Sequence, residues 1–512
     1  MKNKLLKGAF CTLTLTLCLL MTVSCSKAPG DFGEDFNGYF DGLKDEEGAL
    51  KQPMGDEAIP EFDYDQSGNK VLAENPFVST ATEPTSTFSA DVDSASYTYF
   101  RKLVAAGYSF EELAATAGKS LRTEEMVNYF DYACPAPAEG MLFGYKAQVA
   151  PAPWNGENAL LMLTLKTEEM QVHQQNNLVF LIDVSGSMSS QDKLPLLKNA
   201  FAHLVDRLDG DDRVSIVTYS GREAVILEGC EGSKKEIILN AVNGLSASGS
   251  TNGQAGLQKA YELAEEYFIE GGNNRIFMAS DGDLNVGISS PEELKDYISQ
   301  KKDAGVFLSV LGFGTGNYKD SAMEALADNG NGVYYYIDGE EEAERIFGQD
   351  LFASLYTVAK DVKLQLTFNP EIVDEYRLIG YENRILNNED FMDDTKDAGE
   401  LGAGHSVTVL YELKVSLASE NAPFGSLAVR YKAPDGIKSD EESFEIGGEL
   451  YTLSPDDDFR LASAVAELSL LLKDSAYKGR ATRSHLLGVL NELAFADEYK
   501  AQFLRMAKSL LQ

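Results

Sequence analysis

The chain has 512 residues, with 44 Lys and Arg against 81 Asp and Glu, for a formal charge of −37. Its length suggests about three domains at ~150 residues each, and an apolar content of 44% supplies packed cores. The acidic excess argues against nucleic-acid binding, which needs basic surface to replace counterions. It suits divalent cations or basic partners, or is simply a solvated surface.

The first predicted segment is a signal over residues 1–24. Lys2, Lys4 and Lys7 precede an almost uncharged apolar run at 8–23, followed by Ser24 and Cys25. The run is short for a membrane span, which needs roughly 20 apolar residues, and reads as a secretory signal. Cleavage before Cys25 leaves an N-terminal cysteine for lipidation. This resembles bacterial lipoproteins, although Thr22 stands where Leu is usual. The expectation is a chain in the cell envelope, anchored by lipid at the outer membrane, and three units more negative once processed.

Residues 25–75 read as an acidic flexible tether. Between Asp31 and Asp65 there are 12 acids against Lys44 and Lys51, too little apolar surface to offset ordering entropy. Asp63, Asp65, Ser67, Gly68 and Glu74 have the oxygen spacing of an EF-hand loop. Lys70 at an apolar position, and Pro60 and Pro76 in the flanks, oppose that reading.

Residues 76–140 read as an N-terminal helical region, with helical rhythm at Tyr97, Phe100, Leu103 and Val104. Residues 141–172 read as strands of a flanking β domain. The segment 173–355 alternates buried strands (178–183, 214–219, 276–280, 306–313, 333–337) with helices (193–208, 253–268, 291–303, 321–327), which predicts an α/β, doubly wound, mainly parallel sheet. Period-two alternation at Val362, Leu364, Leu366 and Phe368, and at Val407, Val409, Tyr411 and Leu413, predicts a β-sandwich over 356–450. Residues 451–512 turn helical again, with Ser454 placed to cap and Pro455 to start. A second expectation joins 141–166 and 360–445 into one sandwich split around the α/β domain. Cys134 and Cys230 fall in different regions and read as two separate buried thiols; the sequence leaves open whether they pair.

The candidate chemistry lies where the strand at 178–183 ends. Asp183, Ser185 and Ser187 alternate along a tight turn that Gly186 permits, and can converge on a small cation. Oxygen-only ligands suit Mg²⁺. The segment Gly249-Ser250-Thr251-Asn252 and the segment Ser280-Asp281-Gly282-Asp283 fall on the same edge of the same sheet, where such folds bind ligands. Taken singly, these residues also suit turns and helix caps.

This set resembles the metal-ion-dependent adhesion site of von Willebrand factor type A domains. Asp183, Ser185 and Ser187 match its first motif, Thr251 its threonine and Asp281 its second aspartate. The resemblance implies Mg²⁺, or Mn²⁺ or Ca²⁺, held by these five residues. It also implies a protein partner whose carboxylate completes the shell. Ser86 to Asp93, Glu124 to Phe130, Asp281 to Gly287, Leu311 to Gly314 and Gly380 to Arg384 resemble bacterial von Willebrand factor type A lipoproteins over roughly 75–512, with Leu284 where Phe is usual.

No catalytic constellation competes. His173, His203, His405 and His485 lie in unrelated contexts, with no zinc spacing and no Gly-x-Ser-x-Gly elbow. The Gly-rich 312–316 segment reads as a turn. Asp91 and Asp93 read as charge at a helix N-terminus. The expected function is binding of a protein ligand through the metal. The alternatives are a structural or assembly lipoprotein of an envelope complex and, more remotely, a metal-dependent hydrolase.

Overall fold

Uninterrupted apolar runs need two covering layers, and the central sheet has them. The computed structural model describes residues 71–168, 174–249, 254–282, 291–314, 320–350, 356–416, 422–434, 436 and 438–512. The strands run in the order Tyr334–Ile337, Phe307–Phe313, Asn273–Ser280, Asn176–Asp183, Arg213–Tyr219 and Glu223–Glu231. The first five are parallel and the last is antiparallel. Leu178, Phe180 and Ile182 pack with Leu197 and Phe201 of the helix Leu194–Arg207. Val179 and Leu181 face the opposite way, in the core that holds Leu257 and Tyr261 of the helix Gln254–Glu266. Three elements here were not expected from the sequence: the strand Glu223–Glu231 and the helices Lys235–Asn243 and Glu340–Arg345. That strand is an edge whose residues are mostly exposed, so it carries no in–out alternation.

The order also fixes where a ligand can sit. From Asn176–Asp183 the chain crosses first to Arg213–Tyr219 on one side and later to Asn273–Ser280 on the other. The crevice between Asn176–Asp183 and Asn273–Ser280 is therefore the topological switch point, and such sheets bind ligands there, beyond the strand ends.

Two further sheets share one core. The first runs Val78–Ser79, Val373–Ile379, Ser406–Val415, Asn155–Thr167, Phe143–Ala152. The second runs Ile385–Leu386, Thr85–Ser89, Thr357–Phe368, Gly425–Lys432, Ser439–Ile446, with Gly399–Gly402 added beside Thr357–Phe368. Phe88, Leu161, Leu163, Leu364, Tyr411 and Val429 meet between them, as in a β-sandwich. Strands from both sides of the α/β segment pair directly: Leu163 lies opposite Val409 and Phe88 opposite Leu364. The sandwich is thus split around the α/β domain. The Ala403 N–H donates to Tyr356 O at 2.8 Å and the Gly404 N–H to Glu168 O at 3.1 Å, so the two connections to the inserted domain meet at one turn.

This pairing corrects the reading of 76–140 as purely helical. Its first part supplies the strands Val78–Ser79 and Thr85–Ser89. The helices begin only at Ala95–Ala105, followed by Phe110–Leu113 and Thr123–Asn128. These pack with the C-terminal helices Asp457–Leu472, Arg483–Glu492 and Glu498–Leu511 around Tyr97, Phe130, Leu468 and Phe503. The two terminal regions are therefore one helical layer. The first C-terminal helix is capped by Asp456, whose carboxylate accepts from the Phe459 N–H at 2.8 Å, rather than by Ser454.

Cys25, the signal and nearly all of the tether lie outside the described residues. Glu74, last of the EF-hand-like oxygens, accepts a hydrogen bond from Ser475 Oγ at 2.8 Å. Cys134 and Cys230 are both free thiols; Cys230 is buried, but Cys134 is only half-buried, on the sandwich rather than in a core. Among the described residues no helix is long and apolar enough to cross a membrane.

Candidate metal centre

Asp183 ends its strand fully buried. Its Oδ1 accepts the Ser185 N–H at 2.7 Å, closing the turn that sends the chain back over the sheet edge. Ser185 is buried, Ser187 is exposed, and their hydroxyls lie 2.9 Å apart. Across the switch point, Asp281 follows the neighbouring strand and is 2% exposed. Gly282, at φ +96°, lets the chain turn immediately after it.

Four of the five predicted ligands are thus on one rim. Thr251 lies outside the described residues, as do Asp283, Asn285 and His173. The chain leading to Thr251 is tied to the first motif: Gly249 O accepts from the Gly186 N–H at 3.1 Å, and the Ser248 N–H donates to Val184 O at 2.7 Å.

Two residues at this rim carry no signal in the sequence reading. Tyr219 ends the next strand, opposite Asp183 in register. Burial, with the Asp183 charge beside it, holds its phenol in the neutral form. Lys193 donates from Nζ to Asp281 Oδ2 at 2.8 Å and to Ser187 O at 3.0 Å.

The donor set fits a hard divalent cation. It offers carboxylate and hydroxyl oxygens only. Asp281 Oδ1 is buried with no hydrogen-bond partner, a costly state for a carboxylate oxygen. Its other oxygen already faces a positive charge, the Lys193 ammonium. Among the described residues there is no group of three His, Cys, Asp or Glu side chains placed to hold a metal, so hydroxyl ligands are essential to any site here.

The remaining candidates have structural partners. Asp91 and Asp93 stand just ahead of the helix Ala95–Ala105 and also face an arginine. Arg384 Nε donates to Asp91 Oδ2 at 2.9 Å and Nη2 reaches Asp93 Oδ2 at 3.4 Å. His203 is half-buried on a helix. Burial pushes His405 down to about 4, and its neutral Nδ1 accepts the Gly402 N–H at 3.3 Å. His485 Nδ1 lies 2.8 Å from Glu467 Oε1.

Comparison with known proteins identifies families along the chain. The von Willebrand factor type A domain family matches residues 177–349, a von Willebrand factor family residues 64–162, and the family described as "Uncharacterized protein YfbK, C-terminal" residues 353–512. A solved structure described as von Willebrand factor type A from Catenulispora acidiphila is similar at 16% identity, with TM-score 0.43, covering 74% of this chain and 91% of that one. "Uncharacterized protein sll0103" of Synechocystis is 28% identical over 200 residues, 39% of this chain and 46% of that protein. Sheet order, site and family matches together define a protein built on a von Willebrand factor type A domain. More particularly, the chain belongs to the family of "Uncharacterized protein YfbK" of Escherichia coli, with 37% identity over 465 residues, 85% of this chain and 79% of that one.

Proposed function

We propose that this protein is an envelope lipoprotein, tethered through Cys25, whose type A domain binds a divalent cation and through it an acidic protein ligand. Asp183, Ser185, Ser187 and Asp281, with Thr251, would hold Mg²⁺ (or Mn²⁺ or Ca²⁺). A cation bound there supplies an electrophilic position for a partner carboxylate. The role is coordination rather than turnover. The observation that carries the reading is the buried, unpartnered Oδ1 of Asp281 at the switch point, on the same rim as Asp183 and the two serine hydroxyls. The chain's own part is to fix these oxygens: the Ser185 N–H orients Asp183, and burial dries both carboxylates so that a cation gains more from them than in water.

Titration of Mg²⁺ or Mn²⁺ into the wild-type chain should show saturable binding, weakened by more than about a hundredfold in Asp183→Ala, beyond the effect typical of outer-shell changes. Equal binding by both chains, or none by the wild type, overturns the metal reading. Cross-linking in cells with and without EDTA then distinguishes reversible capture, lost on chelation, from a permanent envelope assembly that survives it.

A further inference from the structure

We propose that Lys193 is a built-in competitor for the metal position, an internal cation that neutralises Asp281 until a divalent ion displaces it. The inference rests on the metal reading above and adds what sets the affinity of that site.

Lys193 is an unexpected residue where it stands. It occupies the N-cap of the helix Leu194–Arg207 and makes no capping hydrogen bond there. Ser, Thr, Asp or Asn is favoured at that position, and the positive end of the helix dipole disfavours a cation. Its side chain instead runs inward, 13% exposed, to the 1% exposed carboxylate of Asp281. Among the described residues it is the cation within ion-pair distance of that group. The path is shaped for it. A Cβ on Gly314 would lie 2.2 Å from Lys193 Cε, and Gly314 holds φ +81°, so a glycine there leaves the lysine its channel.

A buried carboxylate without a counter-charge is strongly unfavourable. In the metal-free protein the tethered ammonium supplies that charge at high effective concentration. A divalent ion on Asp281 would put two cations against one carboxylate, so lysine and metal are alternative occupants. The same ammonium also bonds to Ser187 O, so it bridges two of the residues a metal would use. A site free in about one molecule in ten binds about tenfold more weakly than its intrinsic affinity.

The test uses the full chain, with Mn²⁺ as probe, in Lys193→Met and Lys193→Gln. Both variants should bind Mn²⁺ at least about tenfold more tightly than wild type. Without metal both should melt at lower temperature than wild type, and saturating Mn²⁺ should restore the loss. If the wild type binds Mn²⁺ and both variants bind equally or more weakly, the competitor is refuted and the metal reading stands. An unchanged melting temperature in the metal-free variants refutes it as well. If neither wild type nor variants bind Mn²⁺, the metal reading itself fails and the competitor with it.

Discussion

Glu124 is a carboxyl group with both oxygens buried and without hydrogen-bond partners. It fits under Gly380, where a Cβ would lie 2.4 Å from Glu124 Oε2. Burial first, then the charges of Glu382, Glu125 and Asp91, push it up to about 8. The native protein therefore holds a proton here that the unfolded chain releases near pH 4.5. Its stabilising effect is complete below that pH, is lost progressively up to about 8, and is level beyond. Glu124→Gln cannot titrate. Denaturant unfolding from pH 5 to 8.5 should show the variant losing less stability than wild type, the difference growing to about 3–4 kcal/mol by pH 8. Parallel curves for the two chains would contradict this. At this scale the sequence was most readable where chemistry is local. Asp183, Ser185 and Ser187 announce themselves by spacing within one turn, and Asp281 by standing at the end of an apolar strand. Lys193 and Glu124 gain their meaning from Gly314 and Gly380, residues over 100 positions away, and no local pattern encodes that. The Gly380 to Arg384 segment, recognisable only as a resemblance, proves to be a fastening. Gly380 admits Glu124, the Tyr381 hydroxyl accepts from Asn128 at 2.9 Å and donates to Thr408 O at 3.1 Å, and Arg384 holds Asp91.

Elements were readable in proportion to how much of their period they bury. The parallel strands, buried on both faces, and the long sandwich strands stand out as apolar runs or alternations. The strand Thr85–Ser89 does not, since Phe88 is its one large apolar residue, and its partners Thr357–Phe368 and Ile385–Leu386 lie about 270–300 positions later. Helix starts show the same limit. The Ser96 N–H in the first turn of Ala95–Ala105 is satisfied by Glu125 Oε2 at 2.7 Å, from a different helix, and not by its own N-cap Ser94. The structure makes Phe88 the measure of the corrected assignment. It is fully buried between the sheets, with its ring 5.1 Å from Tyr381 and 6.4 Å from Tyr411. Phe88→Ala should cost about 3–5 kcal/mol in denaturant unfolding, as for a large aromatic removed from a closed core. A loss below about 1 kcal/mol would mean that this strand is not part of the sandwich core.

The whole molecule is arranged so that the inserted domain is held at more than its two chain connections. The helix Ala95–Ala105 lies against the edge strand Tyr334–Ile337, with the rings of Tyr99 and Tyr336 6.1 Å apart. From that helix Arg101 reaches Asp338 at 2.5 Å and Glu342 at 2.6 Å, and donates to the Tyr129 hydroxyl at 2.7 Å. One turn face of the same helix carries Lys102, paired at 3.2 Å with Asp192, the neighbour of Lys193. A helix of the terminal layer thus touches both the far edge of the central sheet and the loop of the candidate metal centre. Arg101 is the main tie, because its guanidinium is buried and its loss takes the ion-pair partner from Asp338 and leaves Glu342 the Tyr129 hydroxyl, at 2.8 Å. Arg101→Met should cost about 3–5 kcal/mol, the usual range for breaking a buried pair from one side. More tellingly, hydrogen exchange should rise together in Ala95–Ala105 and in Tyr334–Ile337, two segments over 200 residues apart, since one fastening serves both. Exchange confined to the helix alone would show that the type A domain keeps its edge without this contact, and that the terminal layer rests on the domain instead of holding it.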